Sequence, residues 1–491
     1  MHHKGEKFYI TTAIDYVNAF PHLGHLYEKV CADIIARWNR LKGRDVFFLT
    51  GTDENAAKNE KAAREAGFDV KEFIDKNARR FQELCKVFDI SNDDFIRTTE
   101  EKHRKVAQLI FRKLFENGDI YKGSYSGFYC YGCEEFKTEK DLVDGKCPEH
   151  DTEPELIEEE SYFFRLSKYE KKVLELIEEN RFIIPEKRRQ EILSRIKREG
   201  LRDLAVSRSR VNWGVDVPFD PKHKIYVWVD ALVNYISALG YPEGEKYRSY
   251  WPADVHLIGK GINWFHSVIW PAILLSCNIA FPKLILVHGY ITVEGEKLSK
   301  TRGKVVDPFS LLENYQVDAI RFFLAREIPF FEDGDFTEKA LVERINGELV
   351  GNIGNFVHRT LTLVWSLFGG EVPKPSDYLS DGECLKLVDE TRETLKRVEE
   401  KMENYEIDKA LREIVDFSTR CNRFLQAKEP WRTRDLNSVF LCINAVRTLA
   451  ILLRPYLPSS SERIWRMLNL SGPPDEAGWD SVSEFAVKPG H

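Results

Sequence analysis

The sequence predicts an α/β fold: a parallel, doubly wound sheet split by an insertion with a cysteine cluster, then an all-α bundle. Three observations predict it. Strand-like runs alternate with helical periodicity over residues 1–118 and again over 225–290. Between them, over 119–224, short strands and turns take over. From about 307 onward the periodicity is almost wholly helical, which sets a bridging region at 291–345 and an all-helical domain at 346–491. A chain of 491 residues exceeds one ordinary domain, so several are expected.

Residues 7–14, KFYITTAI, are β-branched and aromatic and read as the first strand. Leu26, Val30, Ile34, Ile35 and Trp38 then keep to one side of a helix over 22–42, with Gly43 as its stop. A second strand, 46–49, runs into Gly51-Thr52-Asp53, and helices follow near 56–66, 70–86 and 101–117. After the insertion, 225–229, 255–258 and 284–287 read as three more strands, giving two before it and three after it. Helices near 309–325, 337–368, 382–402, 406–428, 436–454 and 459–468 complete the chain, and the tail beyond 470 reads as a surface wrap.

Composition excludes some classes. No signal-peptide pattern opens the chain, and no apolar run approaches the roughly 20 residues of a membrane helix. The expectation is a cytoplasmic protein with no membrane partner. The net charge of −7 makes the whole chain no nucleic-acid magnet, but RNA binding depends on local patches. The basic stretch 186–210 is one such patch or, equally, a solvated amphipathic helix. Six of the nine cysteines (Cys31, Cys85, Cys277, Cys384, Cys421, Cys442) fall in apolar or helical segments and read as buried thiols.

The most informative pair of motifs is Pro21-His22-Leu23-Gly24-His25 and, some 270 residues later, Lys297-Leu298-Ser299-Lys300-Thr301. Two histidines three apart share one face of a helix's first turn. Unpaired N–H groups and the positive end of the helix dipole make that turn a site for a triphosphate. The two late lysines can follow the charge of a leaving pyrophosphate. Together the motifs point to ATP-dependent adenylyl transfer.

Cys130, Cys133, Cys147 and His150 have the spacing C-x2-C-x13-C-x2-H of a tetrahedral Cys3His zinc site, structural because four protein ligands leave no open position. Asp53, at a strand's carboxyl end, can bind an ammonium group or cap the helix near 56. Trp228, Tyr235, His266 and Trp270 either pack the core or line a pocket suited to a thioether. Trp431, after Pro430, either packs between helices or stacks on an RNA base, with Arg359 in the same domain.

In one order the chain carries FYITTAIDYVNAFPHLGH, GTDE, a single CxxC…CxxH knuckle, YVWVDALVNY, HLIGK, FHSVIWP, HGYITVEGEKLSKTRG and QAKEPW. From about residue 7 to 460 it resembles the class I methionyl-tRNA synthetases of the single zinc-knuckle type. The resemblance implies a Rossmann-type catalytic domain split by a zinc-knuckle connective insertion, and an anticodon-binding helix bundle. It implies that His22 and His25, within HLGH with Gly24, stabilise the α-phosphate of ATP-Mg2+. Lys297 and Lys300 would hold the β- and γ-phosphates, and Asp53 the methionine ammonium. Ala13, Ile14, Tyr16, Trp228, Ala231, Tyr235, His266 and Trp270 would form or support the side-chain pocket. Asn355, Arg359, Pro430 and Trp431 would read the CAU anticodon.

The reaction implied has two steps: methionine and ATP give methionyl-adenylate and pyrophosphate, then the 3′ adenosine of tRNA(Met), initiator included, takes the methionyl group. The valine and leucine enzymes carry editing insertions for which this chain lacks room, and the cysteine enzyme uses zinc on its substrate thiolate. A monomer is expected, with a separately encoded tRNA-binding partner possible. The chain departs from the family pattern at Ala13 and Asp15 (often proline and tyrosine), Asn55 (usually histidine), Gly261 (GKG for GKD) and Lys304 (commonly asparagine).

Overall fold

The computed structural model describes residues 5–133, 135–137, 139–148, 151–179, 182–297 and 305–491. Lys300, Lys304 and His150 lie outside the described residues, as does the side chain of Lys297.

The central sheet has seven strands. Six run in the order Asp15–Tyr16, Asp45–Asp53, Lys7–Thr12, Val255–Gly259, Ile285–His288 and Ile183–Ile184, and Asp94–Arg97 also pairs with Asp45–Asp53. Every pairing is parallel, and Ile10 faces Phe48 on one side and Val255 on the other. Such strands are covered on both faces, which is why they read as nearly continuous apolar runs. Leu23–Leu41 packs on one face with Val30, Ile34 and Trp38. Glu101–Glu116, Val227–Leu232 and Trp270–Cys277 cover the other.

Two strand expectations are corrected. The run 225–229 is not a sheet strand: Asp220–Ile225 belongs to a small antiparallel sheet, and Val227–Leu232 is a helix buried on all sides. A short, wholly apolar run has no periodicity to separate strand from buried helix. Asp94–Arg97 and Asp15–Tyr16 add strands before the insertion, and Ile183–Ile184, from within the insertion, closes one edge. The rest of the insertion centres on a long antiparallel ribbon of Ile120–Cys130 and Glu155–Phe164. Its helix Glu186–Glu199 carries much of the basic stretch. Arg188, Arg189 and Lys197 are paired with Glu191, Glu186 and Glu178, as a solvated amphipathic helix would be.

From residue 305 onward the described residues are helical apart from one strand, Gly334–Phe336, which pairs with Ile291–Val293. The 337–368 helix is continuous but contains a π-helical stretch, Ile345–Gly354. The apolar helix Leu436–Leu453 does reach the length and hydropathy of a membrane span. Sixteen of its 18 residues are buried, and it is the central helix of the bundle. The tail is tied down: Val482 and Val487 are fully buried, Gly490 N–H donates to the Val372 carbonyl at 2.9 Å, and Val372 N–H donates to the His491 carbonyl at 3.2 Å.

Sheet and bundle share one core, and a buried ion pair sits at their junction. Arg321, fully buried, donates to Asp33 Oδ2 at 2.6 Å and to the carbonyls of Tyr456 and Phe88 at 2.9 and 3.1 Å. Burial alone would raise the Asp33 carboxyl, but Arg37 and Arg321 outweigh it and hold it at about 2.

Candidate active site

The carboxyl ends of the central strands open into a cleft of about 750 Å³. The first strand ends at Thr12, and the chain crosses the cleft mouth before Leu23–Leu41 begins. His22 caps that helix. Its Nδ1 accepts from Gly24 N–H at 3.1 Å, and its own N–H donates to His25 Nδ1 at 3.0 Å, a reciprocal capping box made of two imidazoles. The rings stack at 3.7 Å. With both Nδ1 atoms accepting, a neutral ring carries its proton on Nε2. The site therefore offers ring N–H donors beside the positive end of a 19-residue helix.

Asp15, one of the departures, is answered from that helix. It forms a buried ion pair with Lys29 and lies 3.9 Å from His25 Nε2, while burial raises its carboxyl above the usual range. Glu28 Oε2 lies 3.0 Å from His288 Nε2. Sequence reasoning missed Glu28 and His288. The available signal was spacing: Glu28 follows His25 by three, on the same helix face.

Asp53 ends its strand 2% exposed and lines the cleft. It accepts from Asn55 N–H at 3.3 Å. It does not cap the next helix, because the N-cap there is Ala56. Asn55 is also used: its amide donates to Asp230 Oδ2 at 2.8 Å, and Asp230 is in turn 3.0 Å from His103 Nε2.

At the deep end, Tyr235 and His266 form a buried pair. Tyr235 Oη lies 2.7 Å from His266 Nε2, and His266 Nδ1 lies 3.0 Å from the Ile262 carbonyl. A carbonyl can only accept, so Nδ1 carries the proton and Nε2 receives the phenol's. Burial lowers His266 to about 4 and raises Tyr235 well above the usual phenol range, so both are neutral at pH 7. Trp228 stacks on Phe265 at 3.7 Å and meets Tyr16 edge-on at 6.3 Å. Ala13, Ile14 and Ala231 complete this wall. Trp270 is fully buried behind it, 6.2 Å from the Tyr235 ring, and supports the wall without reaching the cleft. Phe265 was not anticipated; it is apolar and shares its helix with better-marked residues.

The cysteine cluster abuts this wall. The sulfur atoms of Cys130, Cys133 and Cys147 all lie within 4.8 Å of one another. Gly132 and Cys133 line the cleft, and Trp228 Nε1 donates to the Cys133 carbonyl at 3.4 Å. Glu296–Lys297, with which the late lysine motif begins, is an edge strand of a small sheet, with Thr292 paired to Lys297.

A helix-capping histidine pair, a buried carboxylate and an aromatic pocket thus share one cleft. The family profile for tRNA synthetases class I (M) matches residues 8–154 and 138–361, and that for the anticodon-binding domain of tRNA ligase matches 385–487. A methionine–tRNA ligase of Caldanaerobacter subterraneus subsp. tengcongensis is 45% identical over 98% of this chain and 77% of its own length. That of Brucella melitensis is 43% identical over 94% and 92%. The chain belongs to the methionine–tRNA ligase family. The Mycobacterium tuberculosis methionyl-tRNA synthetase in complex with methionyl-adenylate superposes with a TM-score of 0.95 at 38% identity, over 99% of this chain and 97% of that one. Its apo form gives 0.87.

The family's second region, the helical one, brings four sequence candidates together. Asn355 and Arg359 lie one turn apart on Asn355–Phe368, and Pro430 and Trp431 open the short helix Pro430–Thr433. The Arg359 guanidinium sits 5.2 Å over the Trp431 ring and donates to Gln426 at 3.1 Å, and Asn355 donates to Asn422 at 3.3 Å. Trp431 is 36% exposed, so it is not a core tryptophan.

Proposed function

We propose that this chain activates L-methionine with ATP and transfers it to the 3′ end of tRNA(Met), initiator included. The observation that carries this reading is the shared cleft. It places a neutral, aromatic pocket for an uncharged side chain beside a buried carboxylate and a helix N-terminus equipped for phosphate.

In this reading the Asp53 carboxylate binds the methionine ammonium. The thioether enters the pocket of Ala13, Ile14, Tyr16, Trp228, Ala231, Tyr235 and His266, backed by Trp270, where sulfur–aromatic contacts favour it. The methionine carboxylate attacks the α-phosphorus of ATP, brought in as its Mg2+ complex, and pyrophosphate leaves. His22 and His25, on the turn that Gly24 opens, meet the negative charge that builds on the α-phosphate oxygens. Lys297 and Lys300 hold the leaving β- and γ-phosphates. The terminal adenosine hydroxyl of the tRNA then attacks the methionyl carbonyl and AMP leaves. Positioning and fixed charge carry the rate.

The three clustered sulfurs fit a soft cation. Cys130, Cys133 and Cys147, with His150 as the fourth ligand, would hold one structural Zn2+, which would fix the knuckle that supports Trp228. Asn355, Arg359, Pro430 and Trp431 read the anticodon: an exposed tryptophan offers a stacking face to an unpaired base. These roles fall on a catalytic domain in two parts, 1–118 and 225–290, an insertion at 119–224, a loop-bearing region at 291–345 and an anticodon-binding domain at 346–491. Nine free thiols, six of them buried in helical or apolar segments, support a reducing, cytoplasmic setting. A monomer is proposed, open to a separately encoded tRNA-binding partner; a dimer mass by light scattering would contradict it. Methionine-dependent ATP–pyrophosphate exchange tests the whole reading. Exchange with methionine is expected; exchange driven by leucine or cysteine, or by no amino acid, would overturn it.

A further inference from the structure

The cleft has a third wall to which the roles above assign nothing. It is built from Gly259, Gly261 and Ile262, just past a central strand, and from His288 to Ile291, which lead into the lysine-bearing loop. Tyr290 is held there from several directions. Its N–H donates to Asp333 Oδ1 at 2.9 Å, and its carbonyl accepts from Gly334 N–H at 3.0 Å. Lys260, bonded to the same Asp333 carboxylate at 2.6 Å, lies 4.7 Å over the Tyr290 ring. The hydroxyl tip rests against Gly261: a Cβ there would stand 2.0 Å from Tyr290 Oη and 3.3 Å from Cζ. The phenol therefore fills room that only glycine leaves, and it does so at the position where the resemblance leads one to expect an aspartate.

The three parts of an adenylate must lie along one cleft with the reacting phosphorus between the other two. The phosphate end is fixed by His22 and His25, and the amino-acid end by Asp53 and the Tyr235–His266 pocket. The nucleoside half then runs along the remaining wall. We infer that Tyr290 is a nucleotide-binding residue, its hydroxyl set by Gly261 to hydrogen-bond the nucleoside half of ATP. This rests on the adenylate-forming reading above. A phenol both donates and accepts, so it suits a ribose hydroxyl or a ring nitrogen of the base. The departure at Gly261 is then paired with a compensating side chain: the carboxylate is gone, and a neutral hydroxyl stands in its niche.

The test is a double-mutant cycle read by methionine-dependent ATP–pyrophosphate exchange. Tyr290→Phe should raise KM for ATP ~5-fold, the effect of one lost neutral hydrogen bond, with KM for methionine and Tm unchanged. Gly261→Ala should do the same by displacing the hydroxyl. The double variant should be no worse than Tyr290→Phe alone, because phenylalanine has no oxygen to displace. 2′-Deoxy-ATP and 3′-deoxy-ATP locate the bond: loss of discrimination in Tyr290→Phe assigns it to the ribose, and retained discrimination with a raised KM assigns it to the base. An unchanged KM for ATP in Tyr290→Phe, or additive losses in the double variant, would overturn the inference. No exchange by the unaltered protein would instead contradict the adenylate-forming reading itself.

Discussion

The cleft and the helical face present their candidate recognition residues in opposite ways. In the cleft, selection is built from buried groups with fixed partners: Tyr235 is held by His266, and His266 by the Ile262 carbonyl. On the helical face, Trp431 is 36% exposed, and Arg359 rests on its ring and donates to the neutral amide of Gln426. The difference teaches how two ligands of different size are read. In the proposed function, a small apolar side chain is chosen by a pocket whose buried polar groups already have partners. In the same proposal, a nucleic-acid loop is chosen by flat, polarizable surfaces that its bases can stack on.

That contrast can be broken in order of expected effect. His25→Ala removes a donor at the helix terminus where charge develops, and kcat for exchange should fall ~10²–10³-fold, measured beside Tm to separate chemistry from the lost cap contact. A loss below tenfold would show that this turn does not carry the phosphate. Next comes stability against pH. His266 is held near 4 when folded but titrates near 6.5 when unfolded. Between those values the unfolded chain binds a proton that the folded one does not. Stability is therefore full above pH 6.5, falls as pH drops toward 4, and the term amounts to ~3 kcal/mol. Denaturant titrations of the parent and of His266→Leu across that window check it, since the variant should lack this component of the slope.

Tyr235→Phe leaves His266 Nε2 without its donor, and KM for methionine should rise ~10-fold while KM for ATP holds. Equal changes in both would mean that the pair supports the fold more than the pocket. The smallest effect is expected from the knuckle. Removing the metal with a chelator should lower Tm and raise KM for methionine ~3-fold, because Trp228 hangs on the Cys133 carbonyl by one long hydrogen bond. An unchanged KM would separate the knuckle from the pocket.

The sequence was legible where chemistry demands a fixed local geometry. His22 and His25 announced a helix start, and the structure has them capping it. Asp53 stands at a strand end, and three of the four knuckle residues come together. It was illegible where burial overrides local preference. Residues 227–229 have the composition of a strand but sit on a helix that is buried all round, so no face had to be polar. Glu28, His288 and Tyr290 were missed because their partners are distant in sequence, 260 residues apart in the first pair. Asp15, Asn55 and Gly261 depart from the family pattern, and of these only Gly261 removes a carboxylate. Each has a specific partner, in Lys29, Asp230 and Tyr290, and pairing of that kind is visible only in three dimensions.

The division of labour between cleft and helical face is most directly tested on Trp431→Ala, assayed for both half-reactions on one preparation. Methionine-dependent ATP–pyrophosphate exchange should match the parent, while kcat/KM for charging tRNA(Met) falls ~30-fold, as expected for one lost base stack. Charging at the parental rate, or exchange and charging falling together, would contradict the account.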